Sequence, residues 1–357
     1  MQKTRFISEL RVGDEVAAPF LLGSAQQGQA KNGPFWKLEL RDRSGSLEAK
    51  IWSPQSQNYK DLQAGDIVKI TGRINMYRER LEIAVENLAA LTDDEKAVLD
   101  FSLFRSASER SGADMLAELE LLHKRTLTYK PWKKLLKLIF SDPRITEYLL
   151  TAPAAKTLHH AYAGGLLEHI LGVSKLCMAF ADLYPDLDRQ ILLVAATCHD
   201  LGKLWELGQG LTTEYTEEGR LMGHIQLMLD FLEPLLRKAG LPGHLGLHCK
   251  HLILSHHGQY EFGSPRLPAT GEAFALHYAD ILDARLNLTK GALNGVAKGE
   301  SGWSSYLPSL ERNVYRPLPT PADDPQKALP SPDRAQGNAE AGADDEAAYS
   351  PCQFSLI

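Results

Sequence analysis

Residues 191–203 read Ile191-Leu-Leu-Val-Ala-Ala-Thr-Cys-His-Asp-Leu-Gly-Lys203. The run Ile191 to Thr197 is apolar, has helical character, and is far too short to span a bilayer. It closes on an adjacent imidazole and carboxylate, His199 and Asp200. A carboxylate has two oxygens, so Asp200 can bridge two ions. Four more candidate ligands, His169, His224, His256 and Asp280, lie on separate helical segments. Together the six can build two metal sites inside a helical bundle. Mixed imidazole and carboxylate donors suit Mn²⁺, Fe²⁺, Co²⁺, Ni²⁺ or Zn²⁺ better than Ca²⁺. Two such ions about 4 Å apart can activate a water and neutralise a phosphate in one displacement. Of the twelve histidines, eleven fall between His159 and His277, which concentrates the imidazole chemistry in one third of the chain. His244, His248, His251 and His277 are expected to be structural or surface residues, and Cys198 a small buried hydrophobe.

Helical spacing extends in both directions from this stretch, from about residue 100 to about 315. It includes Met115 to His123 and Trp132 to Phe140, and is divided by Pro153, Pro185, Gly208-Gln-Gly210 and Pro242-Gly243. Residues 1–92 have a different period. Phe35 to Arg41, Leu47 to Trp52 and Ile67 to Ile74 alternate apolar and polar, with turn signals at Asp42-Arg-Ser-Gly45 and Gly65-Asp66. About five short strands in this length predict a small Greek-key barrel of the oligonucleotide-binding (OB) type. Phe35, Trp36, Trp52 and Tyr77 are interleaved with Lys37, Lys50 and Arg78, the pattern of a surface that stacks bases and tracks phosphates. The same alternation requires part of this aromatic set to point inside.

The chain has 357 residues, 44% of them hydrophobic and 24% charged, a composition that excludes collagen-like, coiled-coil and wholly disordered chains. Its net charge of −6 is mostly a property of one end. Residues 318–357 hold seven acids and two bases, net −5, while residues 1–92 hold thirteen bases and eleven acids, net +2. The charge therefore does not argue against a nucleic-acid partner for the body. Four well-separated cysteines without a CxxC predict reduced thiols, and no apolar stretch follows the N-terminus, so a cytoplasmic location is expected. Residues 317–357, rich in Ala, Pro, Asp and Gly, read as a disordered acidic tail. That tail ends in Gln353-Phe354-Ser355-Leu356-Ile357, which resembles the short peptides by which bacterial proteins bind the DNA sliding clamp.

The ordered series His169, His199-Asp200, His224, His256, Asp280 resembles the HD-domain metal-dependent phosphohydrolases. Leu158-His-His-Ala-Tyr-Ala-Gly-Gly-Leu-Leu-Glu-His169, Gly223-His-Ile, Leu254-Ser-His-His-Gly258 and Leu276-His-Tyr-Ala-Asp280 extend the match. With an OB-type domain in front, the chain is similar to the YhaM-type 3′-to-5′ exoribonucleases over roughly residues 5–315. The resemblance implies an OB domain at 1–92, a helical connector at 93–150 and an HD domain at 151–316. It implies that His169, His199, Asp200 and Asp280 hold one ion, and that His224 and His256 share Asp200 for a second. Mn²⁺ is the typical activator. Lys203 would stabilise the scissile phosphate, and His257 would stand near the chemistry with His159 and His160. The implied activity is trimming of single-stranded RNA, with DNA as an open second substrate and a homo-oligomer as an open assembly. Two other readings stay open on the residues: a hydrolase of free or cyclic nucleotides, and a non-catalytic single-strand-binding adaptor.

Overall fold

The computed structural model describes residues 5–320, except 78–79, 93, 96–98, 101–102, 105, 157–159, 209–212 and 298. Arg78, His159 and the pentapeptide Gln353 to Ile357 therefore lie outside the described residues.

Five strands, β1 (Glu15–Ala30), β2 (Gly33–Asp42), β3 (Gly45–Ile51), β4 (Ile67–Tyr77) and β5 (Arg80–Ala90), close into a barrel in the order β1-β2-β3-β5-β4. β3 and β5 run parallel, and the other barrel pairs are antiparallel. This is the OB architecture predicted from the sequence. The alternation has its expected effect: Trp36, Leu38 and Leu40 on β2 and Leu47, Ala49 and Ile51 on β3 point into the barrel core. That placement corrects one expectation. Trp36 is 5% exposed, and its indole N–H donates to the Tyr59 carbonyl at 3.0 Å. With Lys37 facing out, period two turns Trp36 inward, so its ring faces are not offered to a base.

Helices α1 (Gly112–Thr126), α2 (Lys130–Ile139) and α3 (Pro143–Tyr148) are followed by α4 (Gly165–Leu183), α5 (Arg189–Cys198) and α6 (Lys203–Glu206). Then come α7 (Glu217–Ala239), α8 (Gly243–Ser255) and α9 (Gly271–Ala292). The sequence reading set residues 93–150 apart as a connector. The structure corrects this, because Met115, Leu119, Trp132, Leu135, Ile139 and Ile145 share one core with α4, α5, α7, α8 and α9. Their apolar faces would stand in water unless they packed there. The actual connection is shorter. Leu99 and Phe104 pack with Leu21, Ile67 and Leu91 of the barrel. A few residues on, the Ser108 N–H donates to the Ala163 carbonyl, and the Ala163 N–H donates to the Ser106 carbonyl. The helical pattern also stops earlier than expected. Gly295, Gly299 and Gly302 end it after α9, and a two-stranded hairpin of β6 (Gly302–Trp303) and β7 (Tyr315–Arg316) follows. The Arg316 guanidinium fastens that hairpin by donating to the carbonyls of Leu293, Val296 and Ala297.

One polar contact inside the helical core has a measurable consequence. His123 of α1 donates from Nε2 to Thr197 Oγ1 at 2.8 Å, while that hydroxyl donates to the Leu193 carbonyl. Burial pushes His123 down to about 4. The unfolded chain therefore binds a proton that the fold rejects. This contribution is complete above pH 6.5 and is lost as pH falls toward 4, worth up to about 3 kcal/mol. His123→Gln, which keeps a donor but does not titrate, should flatten the fall in melting temperature between pH 6.5 and 4.5 relative to the parent chain.

Candidate metal centre and nucleic-acid interface

The six ligand candidates meet at one place because the ends of α5 and α8, the start of α4, a break in α7 and one face of α9 converge there. His169 is one turn into α4, while His199 and His256 are the residues that terminate α5 and α8. At a helix C-terminus the last carbonyls lack partners. His199 Nδ1 donates to the Ala196 carbonyl and His256 Nδ1 to the Ile253 carbonyl, both at 2.7 Å. Those bonds fix the tautomer and leave Nε2 facing inward. His224 reaches the site through a break in α7. Gly223 takes φ +70° and ψ 157°, which a side chain would resist, and the helix restarts at His224. The His224 backbone N–H and Nδ1 then both meet Glu206 Oε1, at 3.1 and 3.2 Å. His169 Nδ1 donates to Asp283 Oδ2 at 2.7 Å.

With every Nδ1 engaged, the four Nε2 atoms crowd around Asp200. Its Oδ2 lies 3.3 Å from His169 Nε2, 3.6 Å from His199 Nε2 and 2.7 Å from Lys203 Nζ. His169 Nε2 is also 3.2 Å from Asp280 Oδ1 and 3.3 Å from His199 Nε2. The other oxygen, Oδ1, lies 3.4 Å from His224 Nε2 and 3.7 Å from His256 Nε2. Two ligand sets thus share one carboxylate. Donors about 3 Å or a little more apart are what one ion with bonds of about 2.1 Å gathers. Asp200 Oδ1, His224 Nε2, His256 Nε2 and His257 Nδ1 are buried without a hydrogen-bond partner. Each such atom costs about 1–3 kcal/mol when nothing binds it. Uncommitted atoms on the Oδ1 side, with the His169 and His199 imidazoles gathered on the Oδ2 side, fit divalent cations. A second cluster of potential ligands, His160, His169 and Asp283, is instead internally hydrogen-bonded.

The electrostatics agree. Burial works against the Asp200 charge, but Lys203 and the surrounding imidazoles of His199, His169 and His256 outweigh it and hold the carboxyl well below its usual range. Asp280 is lowered too, burial being overcome by the bond from His169 and the neighbouring imidazoles. Burial opposes the His169 charge, yet Asp200, Asp280 and Asp283 hold that imidazole well above 6.5. An arriving cation must displace its proton. Burial pushes His199 down to about 4 and His257 to about 3. Burial also opposes the Lys203 charge, but Asp200 keeps the ammonium protonated.

Asp200, Lys203, His257 and Asp280 form one side of a pocket of about 390 Å³. Phe262, Ile281, Ala284 and Leu288 give it an apolar wall, Ser309 and Leu310 of the hairpin close one side, and Arg285 also lines it. Asp283, Glu206 and Arg285 were missed by the sequence reading. Asp283 was legible as i+3 from Asp280 on one helix face. The approach of Glu206 to His224 depends on the Gly223 break, which no spacing rule announces. Cys198 is buried as expected, and His277 has a structural bond from Nδ1 to the His256 carbonyl.

On the barrel, Phe35 and Trp52 stack with ring centroids 4.9 Å apart, and Trp52 is 52% exposed. Lys50 sits 4.9 Å over the Tyr77 ring and also pairs with Glu82. Lys37 pairs with Glu48 at 3.3 Å, on a groove of about 590 Å³ crossing β1, β2 and β3. The outward aromatics remain accessible, whereas both lysines are partly neutralised by acids.

Comparison with known proteins bears on both halves. Residues 24–91 match the OB-fold nucleic acid binding domain, and residues 166–285 match the HD domain. The 3′-5′ exoribonuclease YhaM of Bacillus pumilus is 34% identical over 309 residues, which span 86% of this chain and 96% of that protein. Its counterpart in Bacillus subtilis is 35% identical over the same shares. The chain belongs to the YhaM family. An HD domain carries divalent-metal chemistry, and the uncommitted donors around Asp200 fit it. Among the described residues no helix is long and apolar enough to cross a membrane.

Metal binding by the folded chain alone should raise its stability by mass action. Chain stripped with EDTA should gain about 5–10 °C in melting temperature when a divalent cation such as Mn²⁺ is added at a hundredfold excess over its dissociation constant. An unchanged melting curve would contradict the fit.

Proposed function

We propose that this chain is a divalent-metal-dependent exonuclease that trims single-stranded RNA from the 3′ end and releases nucleoside 5′-monophosphates. The supporting observation is the gathering of four imidazoles around the two oxygens of Asp200, with unpartnered buried atoms on its Oδ1 side, beside a pocket, in a chain that also carries an OB barrel. His169, His199, Asp200 and Asp280 would hold one ion. His224 and His256, sharing Asp200, would hold the second, with His257 Nδ1 beside them. Mn²⁺ is the favoured ion for this imidazole and carboxylate set, with Fe²⁺, Co²⁺, Ni²⁺ or Zn²⁺ as alternatives. Bound ions would supply Lewis acidity toward a water and the scissile phosphate. The chain's own groups do the rest. Lys203, held charged by Asp200, adds positive charge at the phosphate. Arg285, which also lines the pocket, offers a planar fork to a phosphate. The apolar wall of Phe262, Ile281 and Leu288 takes a base without reading its edges, which suits an enzyme that trims any sequence.

Phe35, Trp52 and Tyr77, with Lys37 and Lys50, are proposed to hold the strand upstream. Exposed aromatics accept any base, at about 1–3 kcal/mol each. A 5′-labelled single-stranded RNA, with a matched DNA strand alongside, tests the reading in EDTA and then in Mn²⁺. The expected result is a ladder shortening from the 3′ end only with metal, and the DNA lane sets sugar preference. Asp280→Asn should lower cleavage at least about a hundredfold, as loss of a carboxylate ligand to the catalytic ion implies, while strand affinity stays unchanged. Trp52→Ala with Tyr77→Ala should weaken strand binding about tenfold or more. A hydrolase of free nucleotides would cleave neither strand and would be indifferent to the barrel substitutions, and an adaptor would bind without cleaving.

The C-terminal Gln353-Phe-Ser-Leu-Ile357 is proposed as a ligand for the DNA sliding clamp, which a titration of the clamp with a peptide of residues 347–357 decides. A homo-oligomer is proposed as the assembled form, decided by the solution mass. The cytoplasm is proposed as the location.

A further inference from the structure

His160 is buried yet takes φ +50°, a left-handed backbone that a non-glycine residue adopts at a cost. Several contacts hold it there. Its backbone N–H donates to Asn287 Oδ1 at 2.9 Å, its Nε2 donates to Asp283 Oδ2 at 2.9 Å, and its Nδ1 faces the Tyr162 hydroxyl at 3.0 Å. Asp283 Oδ2 is the same oxygen that accepts from His169 Nδ1. Asp280, Asp283 and Asn287 are spaced i, i+3, i+7 on α9, so one helix face presents the ligand candidate, its neighbour's partner and the anchor of His160 together. The opposing helix makes room: a Cβ at Gly172 of α4 would lie 2.2 Å from Asp283 Oδ1.

Two of the other three imidazoles are oriented differently. His199 and His256 use backbone carbonyls, which no side-chain substitution removes. His224 uses Glu206, and His169 uses Asp283. Each of the two ligand sets therefore has one imidazole whose direction depends on a carboxylate elsewhere in the chain. Such outer partners fix the tautomer and raise ligand basicity.

We propose that Asp283, His160 and Asn287 form a positioning relay that fixes His169 with Nε2 toward the ion, and that this relay serves only the His169–His199–Asp200–Asp280 set. Glu206 performs the matching task for the His224–His256 set. Strain at His160 is retained because its imidazole, bonded to the same Asp283 oxygen as His169, stops that carboxylate from rotating away from His169. This inference rests on the two-ion reading of the preceding subsection.

The test uses the full chain, stripped with EDTA and titrated with Mn²⁺, with electron paramagnetic resonance to tell an isolated ion from a coupled pair. The parent chain should take up two ions. Asp283→Asn should weaken one of the two by about 10–100-fold and leave the other within twofold, so that at intermediate Mn²⁺ the signal is that of an isolated ion. Glu206→Gln should weaken the other ion, and the double variant should weaken both. His160→Asn tolerates the left-handed backbone but is too short to reach Asp283. It should weaken the same ion as Asp283→Asn, about threefold to tenfold, and it decides the matter should Asp283→Asn fail to fold. The relay is overturned if a folded Asp283→Asn chain binds both ions like the parent, or if Asp283→Asn and Glu206→Gln weaken the same ion. A parent chain that takes up no Mn²⁺ would remove the two-ion reading itself, a result separable from either of those.

Discussion

The helical half of this protein is organised around one carboxylate taken out of water. Asp200 is 2% exposed, and an isolated buried carboxylate is too costly for a fold to keep. Here the charge is answered from two sides. Lys203, one helical turn on, meets Oδ2, while imidazoles from three other segments surround both oxygens. The arrangement dictates much else. α5 has to end where Asp200 begins, α7 has to break at Gly223 so that His224 can approach, and α8 has to stop at His256.

The two halves divide the work according to what each architecture offers. A closed barrel spends one face of every strand on its core, and the period of two leaves the other face for a partner. A bundle of helices can bring scattered side chains from their ends and faces to one point and exclude water around them. The join between them is brief: Leu99 and Phe104 belong to the barrel side, and Ser106 and Ser108 already bond to the helical side. The first three helices, which looked separable, are part of the second core because their apolar stripes have no other place to go.

Legibility from the sequence followed the range of the forces involved. Strand alternation in residues 35–52 and helical spacing from Met115 onward are local patterns, so both architectures could be read directly. The six donors were legible because rare residue types recurred in one third of the chain, and the structure gathers all six. Where the reading failed, a nonlocal or competing constraint decided. Trp36 carries a base-stacking ring, but the lysine beside it had claimed the outer face. Glu206 meets His224 across a backbone break, and Arg316 latches the hairpin from 19 to 23 residues beyond the carbonyls it binds. Asp283 was the miss that need not have happened, since a second aspartate one turn from Asp280 on a buried helix face has to find a donor.

His199 and His256 each use one ring nitrogen to finish a helix and present the other to the centre. The same side chain is therefore a structural stopper and a chemical tool. A descendant of this protein that gave up hydrolysis would not be free to drift at these two positions, because the substitution that discards the chemistry also uncaps a helix at the heart of the core. Evolution could retire the reaction here only by first inventing another way to end α5 and α8. Retention of the imidazoles in a related chain would then speak as much for the persistence of its scaffold as for continued turnover.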